Sequence, residues 1–247
     1  MEPQKTAPRP LPDFKPPAGP LEIPAYLHDT YWWAYEHPKA PGFWDHDFMI
    51  NFILLGNYNR LVRAVLEEFP DGISGDMLQI SCAYGRLTPS LEEALTEDGH
   101  LDVIDILPTQ LETVRRKLKD VGGKVRLIQC DATALNCPDN SYDHALMFFL
   151  PHEVPEKERR MAMSEAIRVT KPGGRIIFVE FTNPGFHPFR LYERLVFLLF
   201  EPFAVDMWRH ELTHWFPENH NCTILSHETY FGHFFQKLVV QKCADDS

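Results

Sequence analysis

Met77-Leu78-Gln79-Ile80-Ser81-Cys82-Ala83-Tyr84-Gly85 runs into Arg86-Leu87-Thr88-Pro89. The first residues, 77–81, read as a short buried strand. The small and polar residues after it read as a bend. Thr88-Pro89 then opens a helix through Leu95, with Thr88 as the cap and proline in the first turn. The same alternation continues downstream. Leu101–Asp105 reads as a strand. Pro108 starts a helix that runs through Leu118 to Val121 and is closed by Gly122-Gly123. Val125–Cys130 and Tyr142–Phe149 are further strands. Pro155 begins a helix that ends near Thr170, stopped by Lys171-Pro172-Gly173-Gly174, and Arg175–Phe181 is the next strand. Strands alternating with helices of this length predict an α/β, Rossmann-like parallel sheet with helices on both faces.

Outside this block the rhythm changes. Residues 1–24 hold eight prolines, which predicts an extended, disordered tail with no core of its own. The rest, 25–247, reads as one domain. Residues 25–70 form its N-terminal cover, beginning with an aromatic stretch from Tyr26 to Trp44 whose rings either lid the core or line an apolar ligand site. From Asp47 to Phe69 the apolar spacing is helical, ended by Pro70-Asp71-Gly72. Residues 186–220 read as a helical insertion, with helices near Pro188–Phe203 and Asp206–Trp215. Thr223–Phe231 and His233–Gln241, around Gly232, form a C-terminal β-hairpin.

The 247 residues carry 24 Lys+Arg against 35 Asp+Glu, a net charge of −11. That balance argues against nucleic acid as a partner, because phosphate neutralisation needs clustered cations. With 44% apolar residues the chain can bury a full core. The run Leu195–Phe200 is far shorter than the ~20 residues of a membrane span. Five cysteines with no C-x-x-C pair fit a reducing cytosol better than a disulfide framework, and no secretory signal is read at the N-terminus.

In an open parallel sheet, ligands sit at the carboxyl ends of the strands. Here those ends carry Ser81–Gly85, Asp105 with Ile106, and Asp131-Ala132. A carboxylate after the second strand suits two ribose hydroxyls, and an acid after the third can accept from an exocyclic amine. With Asn140–Asp143 and Arg168–Gly174, this pattern resembles the class I S-adenosylmethionine (SAM) methyltransferase superfamily over about Met77 to Phe181. The resemblance implies SAM as cofactor, held by Gln79, Ser81, Ala83, Tyr84, Gly85, Asp105, Ile106, Asp131, Ala132 and Phe148. The sequence departs from the superfamily in the first loop. An acid and three glycines at alternate positions are usual there; this chain has Gln79, Ser81, Ala83 and Gly85. Side chains at those positions must reshape the methionine end of the pocket.

The chain also resembles the RquA family of rhodoquinone biosynthesis proteins. The stretches that carry this are Tyr31–Pro38, Gly56–Leu61, Ala83–Pro89, Phe148–Glu153 and Glu201–Leu212. The resemblance implies conversion of ubiquinone to rhodoquinone: a ring methoxy is replaced by an amino group, SAM is the amino donor and manganese supports the reaction. An attacking amine must be neutral, and a nearby carboxylate would favour its ammonium form. Gln79 hydrogen-bonds without adding that charge; the plainer reading is that Gln79 and Ser81 only pack.

His152 is the first acid–base candidate, or else a structural cap in the loop before Pro155. Tyr84 and Tyr58 are candidate ring or cofactor contacts, while Asp143 reads as a structural start to its strand. Tyr31, Trp33, Tyr35, Leu195 and Leu199 are candidate contacts for a lipophilic quinone. The segment around Leu195 is a core helix, a tail-binding wall or a peripheral contact with the inner membrane.

His210-Glu211-Leu212-Thr213-His214 spells a zinc-protease motif, but no acid stands where a third ligand belongs, and the metal ligands stay open. Two alternatives to amino transfer also stay open. One is a conventional SAM-dependent methyltransferase on a quinone or lipophilic phenol; the other is a non-catalytic SAM- or quinone-binding partner.

Overall fold

The computed structural model describes residues 11–15, 19, 21–27, 47–82, 84–183 and 203–244. Within them lie α1 (Asp47–Ile53), α2 (Tyr58–Leu66), β1 (Asp76–Ile80), α3 (Leu87–Glu93), β2 (His100–Asp105) and α4 (Pro108–Arg115). Next come β3 (Val125–Gln129), β4 (Tyr142–Phe148), a 3-10 turn at Pro151–Glu153, α5 (Glu156–Val169) and β5 (Thr170–Phe181). Two 3-10 turns, Ala204–Trp208 and Leu212–Trp215, precede β6 (Cys222–Tyr230) and β7 (Phe235–Lys242). The strands form one sheet in the order β3-β2-β1-β4-β5-β7-β6. β1 to β5 run parallel to one another, while β7 runs antiparallel to both β5 and β6. The expected α/β Rossmann-like sheet and closing hairpin are therefore present.

The central strands are buried at every position, as expected for parallel strands covered on both faces, and the polar side chains they bury, Gln79 and Asp102 among them, are hydrogen-bonded within the protein. The strand order reverses between β1 and β4, and the carboxyl ends beside that crevice are where this topology receives ligands. The opposite end of the sheet is closed by polar anchoring. Asp143 accepts the Asp76 N–H at 2.8 Å and pairs with Lys171 at 2.9 Å. Asp102, fully buried, takes His100, Arg126 and the Tyr142 hydroxyl together.

Several element boundaries differ from the sequence reading. The single helix expected from Asp47 to Phe69 is two, because Leu55 and Gly56 both take positive φ. The buried Asn57 amide then donates to the Leu54 and Leu55 carbonyls. Thr88 is not a helix cap; α3 starts one residue earlier and the Thr88 hydroxyl donates to Gln79 Oε1 at 2.9 Å. α4 ends at Arg115, and the following Lys119 and Asp120 amides donate to the Glu92 carboxylate. Lys171–Gly174 does not separate helix from strand: it forms the start of β5, directly after α5. Gly174 is required there, since a Cβ would meet the Asp143 carbonyl oxygen at 2.7 Å.

The helix expected over Asp206–Trp215 is two 3-10 turns, parted at Glu211, whose backbone is extended. The helix expected at Pro188–Phe203 lies, but for its last residue, outside the described residues. Among the described residues no helix is long and apolar enough to cross a membrane.

Candidate cofactor site at the carboxyl end of the sheet

A cavity enclosing about 620 Å³, its open mouth included, sits over the carboxyl ends of β1, β2 and β3. Ser81 and Cys82 wall it from β1, Asp105 and Ile106 from β2, and Asp131 and Ala132 from β3.

Asp105 organises the site. One carboxylate oxygen accepts the Leu107 N–H at 2.8 Å; the other accepts the Cys82 N–H at 2.8 Å and the Ser81 hydroxyl at 3.3 Å. The same side chain thus fixes the entrance to α4 and the bend after β1. Burial pushes its pKa up to about 6, against the opposing pull of those three donors. Asp131 accepts from the Thr133 amide and hydroxyl, both at 2.8 Å, and so shapes the turn after β3. Burial also pushes the Cys82 thiol up, with the Asp105 charge adding to the effect, so Cys82 stays a neutral wall residue.

The loop after β1 is held from behind. Ser81 takes a left-handed φ of 73°, an uncommon state for a residue with a side chain. Gln79 is wholly buried; its amide nitrogen donates to the Ser81 carbonyl at 3.0 Å and its amide oxygen accepts from Thr88. Both ends of the Gln79 amide are therefore bound within the protein. The Tyr58 hydroxyl donates to the Tyr84 carbonyl and accepts from the Leu87 amide, each at 2.9 Å. The Tyr84 hydroxyl accepts from Gln110 at 2.8 Å. Gly85, with a φ of 82°, is the one remaining glycine of the loop. A Cβ there would meet the Tyr58 hydroxyl at 2.7 Å and Ile50 Cδ1 at 2.8 Å. Tyr58 thus stands behind the loop and braces it, and does not wall the cavity. Phe148 is also set back, packed edge-on against Tyr58 and Phe149 with ring centroids 6.2 and 5.0 Å away.

His152 stands on the other half of the same sheet end. It is buried in the 3-10 turn after β4 and does not wall the cavity. Its Nδ1 lies 2.9 Å from Glu180, and its backbone N–H donates to the same carboxylate at 3.1 Å. Glu180 is wholly buried and also accepts the Phe181 amide. Phe149 and Phe181 pack edge-on against the His152 ring. The wholly buried Arg159 donates to the carbonyls of Pro151 and Val154, the two ends of this turn. The arrangement can hold a histidine proton at Nδ1.

Ala83, Tyr31, Trp33, Tyr35, Leu195 and Leu199 lie outside the described residues. Asp143 sits at the far end of the sheet in a structural role, as expected. Sequence reasoning did not single out Tyr26, Leu27 or Cys82 as wall residues, nor Glu180 as the partner of His152. The acid in the otherwise apolar run Ile176–Phe181 was a usable signal, since a charge in a buried strand needs a partner.

The His210–His214 motif does not stand on a helix. The two rings stack with centroids 4.0 Å apart, and His214 lies against Arg160. Among the described residues no group of three or more His, Cys, Asp or Glu side chains is placed to hold a metal ion. The described residues at that motif and at the cavity therefore do not by themselves make a manganese donor set.

Residues 77–174 match the methyltransferase domain family model. The chain is 37% identical over 145 residues to the ubiquinone/menaquinone biosynthesis C-methyltransferase UbiE of Photorhabdus laumondii, covering 58% of this chain and 57% of that protein. It is 31% identical over 153 residues to UbiE of Vibrio cholerae, covering 60% and 58%. The chain spans about half the length of the curated relatives it matches. Among solved structures, a SAM-dependent methyltransferase from Methanosarcina mazei aligns with a TM-score of 0.56 at 19% identity, over 73% of this chain and 98% of that one. The [4+2]-cyclase SpnF aligns with a TM-score of 0.54 at 18% identity, over 76% and 81%. The latter shows that this fold is not confined to proteins named for methyl transfer. The sheet order is that of the Rossmann-like fold shared with SAM-dependent methyltransferases, and residues 77–174 carry the match to the methyltransferase domain family.

Proposed function

We propose that this protein is a SAM-dependent enzyme that modifies the ring of a lipophilic quinone, and that its reaction is the amino transfer of the RquA family, turning ubiquinone into rhodoquinone. The cavity supports SAM as the bound group. Asp105 accepts from the ribose hydroxyls, Ile106 and Ala132 flank the base, and Asp131 accepts from the adenine amine. SAM, when bound, would supply the nitrogen that replaces a ring methoxy, which leaves as methanol; the bond from that nitrogen to the SAM α-carbon would then break by hydrolysis, leaving the carbon as a ketone while the quinone ring itself takes up the two electrons as the hydroquinone. The UbiE relatives support the quinone as substrate class.

The observation that carries the amino-transfer reading is Gln79. The superfamily commonly places a carboxylate at this position. Here a neutral amide is locked between Ser81 and Thr88, so no anion stands there to hold the amine as ammonium. His152, set by Glu180, is assigned the proton that the departing methoxy needs. No step here is routed through manganese, since the described residues do not by themselves make its donor set. We read residues 25–247 as one domain, with peripheral recruitment to the inner membrane through the lipophilic substrate.

The UbiE relatives favour one rival, conventional C-methylation of a quinone. The test is incubation with ubiquinone and SAM labelled with heavy nitrogen in its amine, with and without added manganese, followed by mass analysis of the quinone. Heavy nitrogen on the ring is the expected outcome. A methylated quinone with release of S-adenosylhomocysteine (SAH) would establish the rival, and SAH binding without any turnover would mark a non-catalytic partner.

A further inference from the structure

The proline-rich N-terminal segment has no core of its own, yet its described residues are fastened to the domain. Arg126, itself clamped by the buried Asp102, donates to the Pro12 carbonyl at 3.0 Å. The Lys15 amide donates to the Asn136 carbonyl at 2.9 Å, and the Asn136 side chain returns a bond to the Lys15 carbonyl at 3.0 Å. Pro12 is buried, and Phe14 packs on the core. These anchors lie along β3, the edge strand, and the loop that follows it. Further along, Lys15 and Leu21 flank an open groove that shares Cys130, Asp131 and Thr133 with the cavity. Tyr26 and Leu27 then form part of the cavity wall itself, facing Asp105 and Asp131.

Tyr26 is a poor place for a structural phenol. Its ring packs edge-on against Phe203 at 6.5 Å, and its hydroxyl lies in the field of Asp131, Glu158, Glu153 and Asp105. Burial and those four carboxylates keep the phenol protonated, so it remains a hydrogen-bond donor. A donor beside two carboxylates complements a ligand that presents both hydroxyl donors and ring-nitrogen acceptors, as a nucleoside does.

We propose that the N-terminal segment is a working part of the cofactor site. The anchors at Pro12 and Lys15 carry Tyr26 to the mouth of the cavity, where its ring walls the nucleoside of the cofactor and its hydroxyl donates to it. This rests on the reading of the cavity as a SAM site. It assigns cofactor affinity to the join between a proline-rich tail expected to have no core of its own and the first ring of the aromatic stretch that follows it.

The test is calorimetric titration of SAH into the full chain and four variants, with hydrogen exchange on the full chain. Loss of a single hydrogen bond in Tyr26→Phe weakens binding by about two- to tenfold. Tyr26→Ala, which also removes the ring, weakens it more. Asn136→Ala lies outside the cavity on an exposed loop; it weakens SAH binding too and speeds exchange of the Lys15 amide. In the unaltered chain, SAH slows exchange over residues 11–15 and 21–27. Asp105→Ala is the control for the underlying reading. If the unaltered chain binds SAH, Asp105→Ala abolishes it, and neither Tyr26→Ala nor Asn136→Ala changes affinity, the segment is a bystander and the inference is overturned while the site stands. If the unaltered chain binds no SAH, or Asp105→Ala binds it unchanged, the cavity reading itself fails and the inference with it.

Discussion

His152 Nδ1 and the Glu180 carboxylate are joined at 2.9 Å in a setting closed to water. The carboxylate accepts three N–H groups: the imidazole, the His152 amide and the Phe181 amide. A neutral imidazole so placed keeps its proton on Nδ1, which leaves Nε2 as the basic nitrogen. Glu180→Gln replaces an anionic acceptor with an amide that can also donate, and so removes the preference for that tautomer. The expected outcome is a shift of the His152 tautomer in nitrogen-15 spectra and a fall in turnover. His152→Ala lowers turnover by about 100-fold or more, while SAH affinity stays within about twofold, because His152 does not wall the cavity. Equal losses in binding and turnover would show that the pair only shapes the fold.

Asp105 yields a pH dependence of definite sign. Its carboxyl titrates at about 6 in the folded protein, against about 3.9 for an ordinary Asp. A raised value means that the folded state holds the proton more tightly than the unfolded chain. Its contribution to stability is present in full below about pH 4 and is lost as pH rises to about 6, on the order of 3 kcal/mol across that window. Ligand binding runs the other way, since ribose hydroxyls need the ionised acceptor. SAH affinity therefore rises from pH 5 to pH 7 in the unaltered chain. Asp105→Asn flattens both profiles, which denaturant titrations and calorimetry at several pH values would read.

Gln79 separates the loop's structural work from its chemistry. Gln79→Glu places a carboxylate against the Ser81 carbonyl oxygen, where an amide donor now stands. It keeps an acceptor for Thr88. Loss of one buried bond and creation of a repulsive contact costs about 1–3 kcal/mol of stability, measurable by denaturant unfolding. If the neutral amide serves the amine, Gln79→Glu also lowers amino transfer more than it lowers SAH affinity. An increase in amino transfer would refute that role. Thr88→Val, which removes the hydroxyl donor alone, provides a loop-destabilised variant without new charge.

The parallel sheet and the cavity acids were legible for a simple reason. Short β-branched and aliphatic stretches recur between helix signals, and Asp105 and Asp131 stand at or just after the ends of two of them. What escaped was set by contacts between residues distant in sequence. Nothing local marks Thr88 as the partner of Gln79 in place of its own helix, and helical periodicity passes unbroken through Leu55 and Gly56 although both take left-handed φ. The His210–His214 spacing reads as one helical face, yet an extended Glu211 breaks it. Tyr26 stood within an aromatic stretch read as either a lid on the core or the lining of a ligand site, but nothing local says which ring reaches the cavity.

Asp143 offers the opposite contrast to Asp105. It accepts the Asp76 amide at the start of β1 and pairs with Lys171 at the start of β5, at the end of the sheet away from the cavity. The Lys171 pair is about one-third exposed on each side, so screening leaves it little weight. The carboxylate-to-amide bond is the larger contribution. Asp143→Ala frees the Asp76 N–H in a buried strand and costs about 1–3 kcal/mol. Because Asp143 stands at the end of the sheet away from Asp105 and Asp131, SAH affinity and turnover at 20 °C stay within about twofold. Asp143→Asn keeps an acceptor for the amide and recovers most of the lost stability. A large loss of SAH affinity in a folded Asp143→Ala protein would show instead that this acid belongs to the functional site.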